Sequence, residues 1–169
     1  MPENDPRGRG IPLPTYVNHL MYQTEQHRRA LSADCIAQHG LNLPKWVAML
    51  ALERFGPSSM TRLSRLSAAD RTTLTRSVDG LIRDGLVARE ALATDRRMVV
   101  ITLTDAGERM IDRIREKIRP IHRDVCADLT EEEQSNLVVY LRKMLCGLIP
   151  EPEWKDEVLS FGPMVNVPA

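Results

Sequence analysis

The chain has 169 residues, of which 43% are hydrophobic and 27% charged, values typical of a globular protein. No apolar run approaches the ~18 residues that a membrane span needs, the N-terminal residues lack the apolar core of a signal peptide, and three scattered cysteines do not make a disulfide framework. We therefore expect a reduced, cytoplasmic protein with no membrane contact.

The basic residues are unevenly distributed, although the formal net charge of the whole chain is zero. The segment 61–97 contains eight arginines and no lysine against five acidic residues, a net charge of +3, so the rest of the chain carries −3. Arginine suits bidentate contacts to phosphate and guanine better than lysine does. This segment is the candidate for a nucleic-acid surface.

The N-terminal third of the chain is predicted to be an extended arm followed by helices. Residues 1–14 hold four prolines and two glycines, which disfavour a helix. A long helix is expected over 15–38, with Gly40 suited to its C-terminal cap. Pro44 fits the first turn of a second helix that stops at Gly56, and a third helix extends to about Leu66.

A fourth helix and a hairpin follow. Asp70 is a good N-cap for a helix over 71–84, whose apolar residues recur at helical spacing, and Gly85 ends it. Residues 87–104 are predicted to form a β-hairpin, because 98–103 is rich in β-branched residues. The polar turn of this hairpin is expected to hold Asp95, Arg96 and Arg97.

Two more helices complete the predicted elements. A fifth helix is expected over 106–128 and a sixth from Thr130, which opens a capping box with Glu133. Their apolar seams exceed what one small winged domain can cover, so they predict dimerisation. Residues 150–169, with four prolines, are predicted to be an irregular tail.

The order of helix, turn, capped helix and hairpin is that of a winged helix-turn-helix. The predicted fold is mainly α-helical with a small β-hairpin wing, in a homodimer. Residues 41–104 would form the DNA-binding domain, 15–40 and 105–149 the helical dimerisation region, 1–14 the arm and 150–169 the tail.

The second helix of such a motif enters the major groove by its N-terminal residues, and a basic wing can reach the minor groove. The predicted DNA-binding residues are Arg71, Thr72, Thr73, Thr75, Arg76, Asp95, Arg96 and Arg97.

These segments resemble the MarR family of transcriptional regulators. The resemblance rests on the run from Asp70 to Arg89, on Asp95-Arg96-Arg97, and on the run from Leu103 to Gly107. It covers about residues 15–148, and the tail beyond Ile149 is longer than usual. It implies a homodimer that represses transcription from a pseudo-palindromic operator, with Arg97 in the minor groove, Arg96 on the backbone and Asp95 free to brace an arginine.

The resemblance also implies a small-molecule effector, such as an aromatic or phenolic carboxylate, that releases the DNA. An apolar slot with a few polar groups is what such a ligand requires. The matching region lies between the dimerisation helices and the winged domain. The predicted ligand-binding residues are Tyr16, His19, Tyr22, Gln23, Trp46, Met49 and Met60. Taken singly, Trp46 and Met49 fit a plain core equally well, and His19 fits a subunit interface.

Other interpretations of the sequence remain open at this stage. Cys35 with His39, and His122 with Cys126, stand four residues apart and could share a helical face, which keeps a redox- or metal-sensing regulator as an alternative. The zero net charge keeps a protein-binding winged-helix module as another. We predict no catalytic residues, no bound metal and no cofactor, because no nucleophile elbow, phosphate loop or dinucleotide turn is present.

Overall fold

The computed structural model describes residues 10–67, 69–92 and 95–160, with the side chains of all of these except 92, 95–98 and 158. Within these ranges the chain forms seven α-helices and one β-hairpin. In chain order the elements are α1 (Leu13–Ala37), α2 (Leu43–Phe55), α3 (Met60–Ser67), α4 (Arg71–Arg83), β1 (Val87–Leu92), β2 (Asp95–Leu103), α5 (Asp105–Val125), α6 (Glu131–Leu148) and α7 (Pro152–Leu159). The prediction of a mainly helical fold with a hairpin wing is confirmed.

Two segments predicted to be irregular contain helix. Helix α1 begins at Leu13, inside the predicted arm, because Pro14 falls in its first turn, where the missing N–H has no partner to lose. Within the predicted tail, Pro152–Leu159 forms α7 by the same rule, with Pro152 as its first residue. Residues 1–9 and 161–169 lie outside the described residues.

The hydrophobic core lies between α2 and α4, and α5 and the base of the hairpin close it. Helix α4 contributes Leu74, Val78 and Leu81, each at most 1% exposed. At Gly107 the start of α5 approaches the winged domain closely, since an added Cβ there would collide with the backbone carbonyl of Leu86. This contact explains why the start of α5 needs a glycine.

The two strands of the wing pair antiparallel from Val87 opposite Leu103 to Ala91 opposite Val99, and the register then shifts. Ser58, in the turn before α3, exchanges two backbone hydrogen bonds with Ile101 of β2, at 3.0 and 2.8 Å. The wing is therefore attached to the turn that precedes α3 as well as to α4.

Helix α6 and the N-terminal half of α1 leave apolar side chains in solvent. Helix α6 buries no residue in the single chain, so its apolar seam is exposed there. The large exposed apolar residues on these two helices are Leu13, Tyr16, Leu20, Met21, Tyr22, Leu31, Leu137, Val138, Val139, Tyr140, Leu141, Leu145 and Leu148. Among the described residues, no helix has both the length and the apolar character needed to cross a membrane.

Candidate nucleic-acid interface and ligand cavity

Helix α4 begins at an N-cap that the sequence predicts. The Asp70 carboxylate accepts a hydrogen bond from the Thr73 backbone N–H at 2.9 Å, and the Thr73 side chain adds a second. These hydrogen bonds hold the pKa of Asp70 below its usual value, so the cap is anionic at neutral pH. A carboxylate at this end also favours the helix dipole.

The first two turns of α4 present a basic and short-chained face to solvent. Arg71, Thr72, Thr75 and Arg76 are exposed and line one shallow depression. Neither arginine side chain forms an ion pair within the described residues. The Thr75 hydroxyl donates to the Arg71 carbonyl at 2.8 Å, so its methyl group and its lone pairs are what remain for a ligand. The predicted site residues of α4 are thus brought together, except that Thr73 turns to the N-cap.

The acidic residues farther along α4 are paired with basic residues of other elements. Asp79 accepts from Arg89 of β1 at 2.7 Å, and Asp84 accepts from Lys45 of α2 at 2.6 Å. The acidic residues in the C-terminal part of α4 are therefore already paired within the chain, whereas the arginines of its first two turns are not paired within the described residues. This arrangement favours a negatively charged ligand such as a nucleic-acid backbone.

The wing residues are placed differently from the prediction. Asp95, Arg96 and Arg97 form the first positions of β2, with Leu92 pairing opposite Asp95, and do not lie in the turn. The register moves from Ala91 opposite Val99 to Leu92 opposite Asp95, so residues 96–98 have no partner position among the described residues of β1. The contacts of these three side chains, including the predicted brace by Asp95, lie outside the described residues.

A second feature is a cavity of about 700 Å³ between α1, α2 and α5. Its apolar wall is supplied by all three helices and consists of Ile36, Leu43, Trp46, Val47, Leu50 and Ile118. Its polar residues are mostly cationic and consist of Arg28, Arg29, Ser32, Glu53, Arg54, Arg115, Arg119 and His122. An apolar wall beside a cationic rim suits a small, flat, anionic molecule.

The charged groups of the cavity are held in place by neighbouring carboxylates. Arg28 and Arg29 both bind Glu25, at 2.7 and 2.6 Å, and these contacts lower the pKa of Glu25 to about 2. Arg119 binds Glu116 at 2.6 Å. His122 has a pKa below its usual value, chiefly because partial burial disfavours the imidazolium and secondly because of the Arg28 charge. His122 is therefore neutral at pH 7.

Most of the predicted ligand-binding residues lie away from this cavity. Trp46 alone among them lines it. Tyr16, His19 and Tyr22 are exposed on the N-terminal half of α1, where Gln23 is half-buried. Met49 is fully buried in the core, and Met60 packs against the core from α3. The cavity lies farther along α1 than predicted, because α1 meets α2 and α5 through its C-terminal half, at Ser32 and Ile36.

The sequence does contain a signal for the cavity residues that were missed. One face of α5 carries three basic groups and one apolar group, because their spacings of three, one and three residues follow the helical repeat. These residues are Arg115, Ile118, Arg119 and His122. A basic stripe on a helix with a well-buried apolar seam is a sign of a charged internal surface. Only the packing of α1 against α5 shows that this stripe lines a cavity.

The candidate metal ligands are not assembled into a site. The ring Nδ1 of His39 lies 2.9 Å from the backbone carbonyl oxygen of Cys35, so the pair meets through the backbone. Among the described residues, no three His, Cys, Asp or Glu side chains cluster closely enough to hold a metal ion. Cys35, Cys126 and Cys146 are free thiols and are half-buried.

Comparison with known proteins gives consistent matches. A family model described as MarR family matches residues 39–98. The transcriptional repressor NicR of Pseudomonas putida is 29% identical over 129 residues, covering 76% of this chain and 82% of NicR. The HTH-type regulator YkoM of Bacillus subtilis is 30% identical over 110 residues, covering 63% of this chain and 69% of YkoM. The structure of BpsR from Bordetella bronchiseptica, described as regulated in its DNA binding by 6-hydroxynicotinic acid, is 26% identical with a TM-score of 0.67, covering 77% and 98% of the two chains.

Proposed function

Because the chain belongs to the MarR family of winged helix-turn-helix, DNA-binding transcriptional regulators, we propose that it represses transcription as a homodimer on a pseudo-palindromic operator and is released by a small aryl carboxylate. The family consists of regulators and not of enzymes, in agreement with the prediction of a protein without catalytic residues. We propose which residues contact DNA, that two chains form the binding unit, and which class of small molecule releases the DNA.

The observation that carries the DNA-binding part is the charge distribution on α4. Arg71 and Arg76 project from its first two turns without an ion pair in the described part of the chain, while Asp79 and Asp84 are neutralised by Arg89 and Lys45. The N-terminal residues of a recognition helix are those that reach base edges. We assign Arg71 and Arg76 to guanine or phosphate contacts, with Thr72 and Thr75 beside them and Arg96 and Arg97 on the wing.

The homodimer is supported by the apolar surface that the single chain leaves open. Helix α6 carries exposed Leu137, Leu141, Leu145 and Leu148 on related turns, and the N-terminal half of α1 adds exposed apolar residues. An exposed apolar surface of this extent requires a partner. In a two-fold dimer the two α4 helices would lie about one DNA turn, ~34 Å, apart and would require an operator with two inverted half-sites.

The effector part is supported by the chemistry of the cavity. Its apolar wall includes the indole of Trp46, which suits an aromatic ring, and its rim carries five arginines and one glutamate, which suit a carboxylate. The same kind of ligand, 6-hydroxynicotinic acid, regulates DNA binding by BpsR. We propose an aryl carboxylate with a hydroxyl or ring nitrogen as the effector class for this chain.

The test combines operator selection with ligand release. DNA selected from random sequence by the purified protein is assayed by fluorescence anisotropy and analytical ultracentrifugation, with and without 6-hydroxynicotinate or 4-hydroxybenzoate. The matched amides, which lack the charge, serve as ligand controls. We expect two protomers per operator, two inverted half-sites, and release by an acid but not by its amide. Equal effects of acid and amide would contradict the effector class, and one protomer on a lone half-site would contradict the homodimer.

A further inference from the structure

The ion pair between Lys45 and Asp84 joins two points of the backbone that are themselves fixed. Lys45 is in the first turn of α2, where its N–H donates to the Asn42 side chain at 3.0 Å. Asp84 is the C-cap of α4, and its N–H donates to the Gly80 carbonyl at 3.0 Å. The bond from Lys45 Nζ to Asp84 Oδ2 measures 2.6 Å and spans 39 residues of sequence.

The Lys45 side chain reaches Asp84 by crossing α4 directly over Gly80. A Cβ built on Gly80 would lie 2.7 Å from Lys45 Cε and 3.1 Å from Nζ, so the glycine leaves the space that the lysine occupies. The Lys45 side chain is 18% exposed and the Asp84 side chain 46%, whereas both partners in the Arg89–Asp79 pair are 50% exposed. Lys45 is therefore less accessible to water than either partner of that pair, which reduces the solvent screening of its contact with Asp84.

We infer that Lys45 is a positioning residue for DNA recognition: through its contact across Gly80 with Asp84, it fixes the C-terminal end of α4 and so the direction in which the N-terminal end enters the groove. This inference rests on the proposed role of α4 as the recognition helix. A thirteen-residue helix is about 20 Å long, so a tilt of roughly 3° about its fixed end moves its other end by about 1 Å. Hydrogen bonds from Arg71 and Arg76 to base edges do not tolerate such a displacement.

The decisive variant is Asp84→Asn, because charge and positioning predict opposite effects. Removal of a carboxylate from a DNA-binding domain strengthens binding if only charge matters. If Asp84 positions α4, the ratio of specific to non-specific affinity falls about tenfold, the size of one lost base contact, while non-specific affinity is unchanged or higher. Glu90→Gln is the matched control, since Glu90 is an exposed acid of the wing with no ion pair among the described residues.

Two further variants separate positioning from general damage. Gly80→Ala adds the Cβ that displaces the Lys45 ammonium while keeping both charges and favouring helix formation, so the specificity ratio should fall without loss of thermal stability. The double variant, Lys45→Met with Asp84→Asn, should lower the specificity ratio no more than either single variant does, because both substitutions break the same contact. The assay is fluorescence anisotropy on the selected operator and on a scrambled duplex.

The outcomes distinguish this inference from the proposed function. If the wild type does not distinguish the operator from the scrambled duplex, the proposed function fails. If the wild type distinguishes them and Arg76→Ala lowers the ratio about tenfold, but Asp84→Asn and Gly80→Ala both keep the ratio within about twofold of wild type, the positioning role of Lys45 is overturned. A specificity loss in Glu90→Gln equal to that in Asp84→Asn would overturn it as well.

Discussion

Arg115 of α5 donates from Nη2 to Glu53 Oε1 of α2 at 2.6 Å, and both residues line the cavity between α1, α2 and α5. The pair joins two helices through residues that are 62 positions apart in sequence. It also pairs Glu53, the carboxylate that lines the cavity, with one of the arginines that a bound anion would need. A ligand carboxylate entering the cavity must therefore compete with Glu53 for Arg115.

Removal of this internal competitor should strengthen ligand binding. In Glu53→Gln the Arg115 guanidinium loses its charged partner on α2 and keeps its contact with Asp112 at 3.2 Å, so more of it is available to the ligand. We expect the Kd for 4-hydroxybenzoate to fall about fivefold, roughly 1 kcal/mol, as isothermal titration calorimetry would measure. Arg115→Met should raise the Kd about tenfold. Arg113→Met is the control, since Arg113 is exposed on α5 and does not line the cavity. Weaker binding by Glu53→Gln would show that Glu53 is itself a ligand contact.

Ligand affinity should depend on pH through His122. The pKa of His122 lies below 6.5 in the free protein, because of partial burial and the nearby Arg28 charge. A bound carboxylate favours the imidazolium and raises that pKa, so binding takes up protons and the affinity increases as the pH falls through 6.5. Titrations at several pH values should show this slope in the wild type and not in His122→Gln. A slope that survives in His122→Gln would assign the proton to another group.

Glu25 should contribute stability that disappears in acid. Its contacts with Arg28 and Arg29 lower its pKa to about 2 in the folded chain. A lowered folded-state pKa means that the contribution is present above the ordinary value of 4.5 and is lost as the pH falls towards 2. Because Glu25 is 40% exposed, we discount the effect for solvent screening and expect Glu25→Gln to lower the free energy of unfolding by about 1 kcal/mol at pH 7.

Urea denaturation at fixed protomer concentration measures this difference at each pH. Glu132→Gln, on the exposed surface of α6, is the control for loss of a carboxylate. A difference between Glu25→Gln and the wild type that stays constant down to pH 2 would contradict the assignment to the arginine pairs.

Arg62 should contribute more to the free energy of unfolding through its contacts with the turn before α3 than through its contact with α7. Its guanidinium donates to the carbonyls of Phe55 and Pro57, each at 3.2 Å, to Ser58 Oγ at 2.7 Å, and to Glu157. Arg62→Met leaves the turn before α3 without these donors and should cost about 2 kcal/mol of unfolding free energy. Glu157→Gln removes only the contact with α7 and should cost below about 1 kcal/mol. Denaturant unfolding compares the two variants, and equal losses would mean that α7 stabilises the domain.

Local rules predicted several helix boundaries well, because each is set by a residue with its own backbone chemistry. Asp70 caps α4, Thr130 and Glu133 form the capping box of α6, and Gly56 ends α2 with a positive φ of 72°. The same rules, applied too strictly, placed the start of α1 two residues late and missed α7. A proline stops a helix in its interior but is favoured in its first turn, as Pro14 and Pro152 show.

The cavity between α1, α2 and α5 could not be located from the sequence because it is a product of packing between helices. The hydrophobic stripe of α1 includes Tyr16 and Leu20, which remain exposed in the single chain, and the cavity forms where Ser32 and Ile36 approach α2 and α5. Trp46 was predicted because the family resemblance implies a ligand pocket between the dimerisation helices and the winged domain, and it alone of the predicted ligand-binding residues lines the cavity. The partners that complete the cavity on α5 are more than 60 residues away in sequence, and no local pattern relates them to α2.

A salt-titrated mobility shift tests most directly whether α4 binds DNA through Arg71 and Arg76, which form no ion pair in the described part of the chain. Wild type, Arg76→Ala and the control Arg109→Ala, on the exposed surface of α5, are compared on the selected operator and an unrelated duplex. The account predicts preferential operator binding that weakens steeply with salt, and a loss of about tenfold in Arg76→Ala with a salt slope smaller by about one. Equal binding of both duplexes, with Arg76→Ala indistinguishable from wild type, would contradict it.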